Sequence, residues 1–174
     1  MTRARMRQVS IGGTPALVDF RAEDLPHQKA RRLFRLWQDK RGHRSMPLRS
    51  DIGIHDLRFC LTEIALVEVR ESEPRFLVRV FGGDAADLSG RDVTGRPMDF
   101  PEARRRGEWM TRHARPFFVT DQKVTWSDRH HRHYDVLALP LSRDGRTVSH
   151  ILYWFHFHIG AIDMSTAGLS QGGG

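Results

Sequence analysis

The sequence predicts an α+β domain: a five-stranded antiparallel sheet with its helices inserted between the second and third strands, and an amphipathic helix in front. Three observations predict it. Two strand-like runs, "IALVEVR" and "RFLVRVF", flank a polar turn containing Pro74. Three more extended runs come late, the last two joined around Asp144-Gly145, a strong hairpin signal. Only helical patterns lie between the two sets.

Residues 1–25 show no sustained period and read as an irregular arm. After Asp24, a plausible helix cap, "PHQKARRLFRLWQDKRG" places Ala30, Leu33, Phe34 and Trp37 at i, i+3, i+4 and i+7, with arginines elsewhere on the wheel. This predicts an amphipathic helix over residues 26–41, ended by Gly42. In "SMPLRSDIGIHDLRFCL", Pro47 and Gly53 predict an extended crossing segment, and Ile54, Leu57 and Leu61 a helical turn or two after it. The first hairpin follows, Ile64 to Arg70 and Arg75 to Phe81.

The next stretch, "GGDAADLSGRDVTGRP", poses a choice between a phosphate loop and scaffold. A phosphate loop needs a lysine after its last glycine, and none is in reach. A nucleotide-cyclase turn needs a further acidic residue after Gly82-Gly83-Asp84, where Ala85 and Ala86 stand. The stretch is therefore read as scaffold, with Gly82 or Gly83 taking a positive φ where the chain leaves the strand. A helix from about Glu102 to Arg115 follows Pro101, which suits a helix start; Trp109 and Met110 are its main apolar residues, with His113 one turn on. "RPFFVTDQKVTWSD", "YDVLALPLSRDGRTV" and "SHILYWFHFHI" complete the sheet, giving a domain over residues 26–159. The small, polar segment 160–174 is expected to be disordered.

Composition excludes several function classes. No apolar run approaches the ~20 residues that span a bilayer, and the arginines near the N-terminus are followed by no apolar stretch of the kind a secretion signal needs; the expectation is a cytoplasmic protein with no membrane partner. Cys60 is the only cysteine, so there is no internal disulfide and no zinc site of paired cysteines. The formal charge is +7, and Lys29, Lys40 and Lys123 are the only lysines among 28 basic residues. These cations are scattered without aromatic interleaving, which disfavours a nucleic-acid interface. A basic nucleic-acid module is thus the third reading. No carboxylate pair or nucleophile elbow suggests catalysis, so no enzyme and no catalytic residue is expected. His130, His131 and His133 cluster in a loop, and His150, His156 and His158 share one strand face. No Asp, Glu or Cys lies beside His156 or His158 in the sequence, and no metal site is assigned.

Four motifs are more specific: Leu36-Trp37 in the first helix; Pro47, Arg49, Ser50, Asp51 and Ile52; "GRDVTGR" from Gly90 to Arg96; and Leu139 to Ser142 followed by Asp144-Gly145. Together, over residues 30–157, they resemble the bacterial family of stand-alone PAS proteins. The resemblance implies a PAS fold and a signalling or protein-interaction module with no output domain of its own. It also implies a small-molecule pocket between sheet and helices, with Phe81, Trp109, His113 and Tyr153 as candidate lining. No resident cofactor is expected; a small-molecule or haem sensor is the alternative, with His113 placed on the helix from which haem-holding PAS domains often ligate the iron.

Both faces of the late strands are apolar. Leu137, Leu139 and Leu141 form one row and Val136, Ala138 and Pro140 the other; Ile151, Tyr153, Phe155 and Phe157 oppose Leu152 and Trp154. An antiparallel sheet commonly keeps one face polar, so a cover is implied: the helix 26–41, a second subunit, or both. Which row faces inward depends on whether the Asp144-Gly145 loop has two residues or three. A helix of ~15 residues is about 22 Å long at 1.5 Å per residue, too short to cover five strands. Ala30, Leu33, Phe34, Trp37, Trp154 and Phe155 are therefore the candidate interface, with a homodimer or a protein partner expected there.

Overall fold

The computed structural model describes residues 6–98 and 100–160. Its sheet is antiparallel, but it has seven strands in the order β1-β2-β5-β6-β7-β3-β4. The strands expected in the sequence are all present: β3 (Ile64–Val69), β4 (Phe76–Phe81), β5 (Phe117–Lys123), β6 (Arg132–Ser142) and β7 (Val148–Ile159). The additional pair comes from the arm expected to be irregular: β1 (Arg7–Ile11) and β2 (Thr14–Val18) form a hairpin that continues the sheet beside β5. Its two-residue turn, Gly12-Gly13, has both φ values positive, as a turn matching strand twist requires. Ile11, Ala16 and Val18 alternate into the core. The folded unit thus begins well before residue 26.

The helix expected over residues 26–41 is α1 (Gln28–Arg41), and Ala30, Leu33, Phe34 and Trp37 are its buried stripe. α2 (Gly83–Ser89) closes on Gly90 in the left-handed conformation. α3 (Pro101–His113) starts on Pro101, whose missing N–H costs nothing at a helix's first turn.

The register of β6 against β7 decides the two faces. Val136 pairs with Phe155 and Ala138 with Tyr153, facing α3; Leu137 pairs with Trp154 and Leu139 with Leu152, facing α1. The hairpin loop is neither of the lengths expected. Five residues, 143–147, separate the pair Ser142 and Val148, and Ser149 is an extra residue that restores the alternation beyond it. Asp144 holds the loop, its carboxylate accepting from the amides of Arg146 and Thr147.

The outer face is closed by the chain itself. The Trp37 indole donates to the Pro140 carbonyl at 2.9 Å, and the His27 ring lies 5.4 Å from that of Trp154. Where α1 stops short, the crossing segment takes over: Met46, Ile52, Leu57 and Cys60 are buried, and Ile52 and Leu57 face Leu66, Leu141 and Leu152 across a shallow cleft. The argument for a second subunit over this face therefore fails. Ala30, Leu33, Phe34, Trp37 and Trp154 are buried within the chain, and Phe155 lies on the opposite face.

The glycine corner also differs in cause from the expectation. Gly82 has φ −63°, and Gly83 is not among the positive-φ glycines. What Gly82 requires is room: a methyl group there would collide with the carbonyl of Thr62, whereas one on Gly83 meets nothing within 4 Å. Gly82→Ala is expected to lose about 1–3 kcal/mol, the usual cost of overpacking. Gly83→Ala should be neutral or slightly stabilising, because alanine favours helix. Urea midpoints of the two variants check this, and equal midpoints would contradict the close-approach account.

Candidate functional site

Between the inner face of the sheet and α3 lies a cavity of about 390 Å³. Its floor is the alternating set Ala65 and Val67 of β3, Tyr134 and Val136 of β6, and Tyr153 and Phe155 of β7. Its roof comes from Met98, Phe100 and Val93, with Ala103 and Arg106 of α3; Thr125 and Trp126 close one end, and Arg91 and Arg96 stand exposed at the edge. Ligand cavities typically hold ~300–1,000 Å³ and combine apolar walls with a few directed polar groups. This one has both properties.

The polar groups are mostly donors. Arg106 is 5% exposed; its Nη1 donates to the Tyr134 hydroxyl at 2.8 Å and its Nη2 to Gln122 Oε1 at 3.2 Å, while its Nε has no partner. The Trp126 Nε1 and the Tyr153 hydroxyl are likewise buried without a partner. Burial pushes both phenols upward, with Arg106 acting against it, so Tyr134 and Tyr153 stay neutral. Among the described residues, no carboxylate, histidine or cysteine lines the cavity.

Of the four candidate lining residues, Phe81 and Tyr153 line the cavity. Trp109 and His113 do not. Trp109 packs edge-on against Phe117, centroids 5.7 Å apart, with the His113 ring 4.5 Å from its own. His113 is exposed at the last position of α3, so the route to haem through this residue is corrected: its imidazole does not reach the cavity. Arg106, Tyr134 and Trp126 were missed. A signal existed for the first: Ala103, Arg106, Gly107 and Met110 follow the i, i+3, i+4, i+7 pattern, and an arginine in the buried stripe of a helix is a polar group with an inside task.

The histidines are organised on the other face, around an acid that sequence adjacency did not show. Asp135 Oδ2 meets His27 Nε2 at 2.7 Å, and its Oδ1 meets His158 Nε2 at 3.2 Å and accepts from the Asp121 amide at 2.8 Å. Burial acts to raise the Asp135 carboxyl, and these hydrogen bonds outweigh it and hold it below the usual range. His133 pairs with Asp121. Among the described residues no three His, Cys, Asp or Glu side chains are arranged to hold a metal. The cluster ties the start of α1 to β6 and β7. Cys60 is buried, and that burial, with Glu63 adding to it, pushes its thiol up to about 12.

Among the described residues no helix is long and apolar enough to cross a membrane. The PAS domain family profile matches residues 25–153. No curated protein and no solved structure matches the chain.

Proposed function

The chain belongs to the PAS domain family, and on that premise we propose that it is a sensory module whose cavity takes a small molecule and whose signal leaves through a protein partner in the cytoplasm. One observation carries the ligand: a 390 Å³ cavity with apolar walls, into which the Tyr153 hydroxyl and Trp126 Nε1 bring unpartnered polar atoms. A buried donor left unsatisfied costs about 1–3 kcal/mol, and a bound molecule carrying an acceptor removes that cost. The absence of any acid, histidine or thiol from the described lining supports binding rather than turnover. The arginines support the same reading over nucleic acid: Arg7, Arg35, Arg44, Arg75, Arg79 and Arg115, on elements all round the fold, are paired with carboxylates and form no single face.

The partner contacts a surface other than the one under α1, which the chain keeps for itself. The cavity is tested with N-phenyl-1-naphthylamine, a neutral dye that fluoresces in apolar surroundings. Binding on the order of micromolar is expected, within the reach of an apolar pocket of this size. Ala65→Phe, which fills the floor between Phe81 and Tyr153, should abolish it while leaving the circular dichroism unchanged. Equal binding by the wild type and this variant, or none by the wild type, sinks the cavity reading.

A further inference from the structure

We propose that the molecule held in the cavity is an organic anion with an apolar or aromatic body, its acidic group taken by Arg106 with Arg91 and Arg96. This rests on the cavity reading above and goes further, because it names the ligand's charge. The charged groups in the described lining are all of one sign, Arg91, Arg96 and Arg106. Arg106 is the telling one. It is 5% exposed, its two hydrogen bonds go to the neutral oxygens of Tyr134 and Gln122, and it forms no ion pair among the described residues. Buried charges in proteins are paired, because an uncompensated one carries a desolvation cost of several kcal/mol.

The sequence had an acid available one turn earlier on the same helix. Glu102 forms no ion pair with Arg106 and does not line the cavity; its Oε2 is itself buried without a partner. Glu102 acts on the Tyr134 phenol at a distance but makes no contact with the guanidinium, so a counter-charge in contact with Arg106 comes from what enters. Its free Nε–H is a charge-assisted donor, about twice as strong as a neutral one, and the Trp126 Nε1–H and Tyr153 hydroxyl add neutral donors for further acceptor atoms. Phe81, Phe100, Trp126 and Phe155 give the body of the ligand flat apolar walls. Arg91 and Arg96, exposed at the edge and in no ion pair among the described residues, draw an anion in.

The test compares two dyes that share one skeleton. 8-Anilinonaphthalene-1-sulfonate carries an anionic sulfonate; N-phenyl-1-naphthylamine has the same rings and no charge. The anionic dye is expected to bind the wild type at least about tenfold more tightly, the discrimination a charge-assisted contact confers. Arg91→Gln with Arg96→Gln, both at exposed positions, should cut that preference at least about threefold, and Arg106→Gln, confirmed folded by circular dichroism, should remove most of it. Ala65→Phe keeps every arginine and fills the cavity, so it should abolish binding of both dyes.

Equal affinity for the two dyes overturns the anion assignment and leaves the cavity reading standing. Binding of neither overturns both. A preference left whole by Arg106→Gln, or undiminished by the Arg91/Arg96 double variant, shows that these arginines do not take the sulfonate, and anionic-dye binding that survives Ala65→Phe places it outside the cavity; each of these overturns the proposal.

Discussion

Replacing Trp37 by alanine is expected to remove about 3–5 kcal/mol of stability, the range for deleting a buried tryptophan. Trp37 is 2% exposed, its ring lies parallel to that of Phe34 at 6.0 Å, and its indole is a partner of the Pro140 carbonyl. Alanine opens a cavity under α1 and strands that carbonyl. Against a total stability of about 5–15 kcal/mol for a domain, the loss is a large fraction, and it should appear as a lower urea midpoint with little change in slope. Trp37→Phe separates the two contributions: it keeps most of the packing and loses the hydrogen bond, a net contribution of about 0.5–1.5 kcal/mol. An alanine variant with a wild-type midpoint would show that α1 is not fastened to the sheet.

Acidification should destabilise the fold before its carboxylates titrate. His150 is 8% exposed, and burial, with Arg143 and Arg49 adding repulsion and Glu68 opposing, lowers its pKa from 6.5 to about 4. The unfolded chain therefore takes up a proton near pH 6.5 that the folded chain refuses until about pH 4. Stability falls across that window as the unfolded state binds more protons. A shift of this size corresponds to a loss on the order of 3 kcal/mol, at 1.36 kcal/mol per unit. His156, lowered by burial and by His27, acts in the same direction. Asp135 and Asp144, both held low, add their losses only below the ordinary carboxylate range near 3.8. His150→Gln should flatten the decline between pH 6.5 and 4, measured as the difference in unfolding free energy between the two ends. An unchanged decline would locate the proton uptake elsewhere.

Most of the sheet was legible because its strands carry strong local patterns: β-branched runs for β3 and β4, a turn dipeptide between β6 and β7, and a helical stripe for α1. The β1–β2 hairpin was not, although Gly12-Gly13 is a hairpin signal and Val9 and Ile11 alternate with Gln8 and Ser10, because a strand of five residues carries only two such repeats and Pro15 interrupts the second strand. The outer cover was half legible. The stripe of α1 pointed to it, but the role of residues 46–61 depends on irregular backbone that places Met46, Ile52 and Leu57 by tertiary contact rather than by spacing.

In the candidate site, Phe81, Trp109 and Tyr153 were expected from the resemblance alone, and the face that Tyr153 takes is decided by the β6–β7 register. The stripe that goes inside on α3 runs through Arg106 and leaves Trp109 at its flank. Asp135 and His158 were invisible as partners because their meeting depends on the β6–β7 register, which the five-residue loop and the extra Ser149 decide.

That extra residue governs how the protein tolerates changes of length. Ser142 pairs with Val148 and Leu141 with His150, so Ser149 is the one position of β7 that opposes nothing on β6. Deleting it would turn an interrupted ladder into a continuous one and leave every other pair in place. Deleting Leu152 while Ser149 keeps its place as the extra residue would send the rest of the strand to the other face, exchanging Tyr153 and Phe155 with Trp154 and His156, and so would disrupt the cavity floor and the seat of α1 together. Losses and gains of one residue in this gene should therefore collect at the hairpin tip and be purged from the strand beyond it, a pattern of indels set by geometry alone.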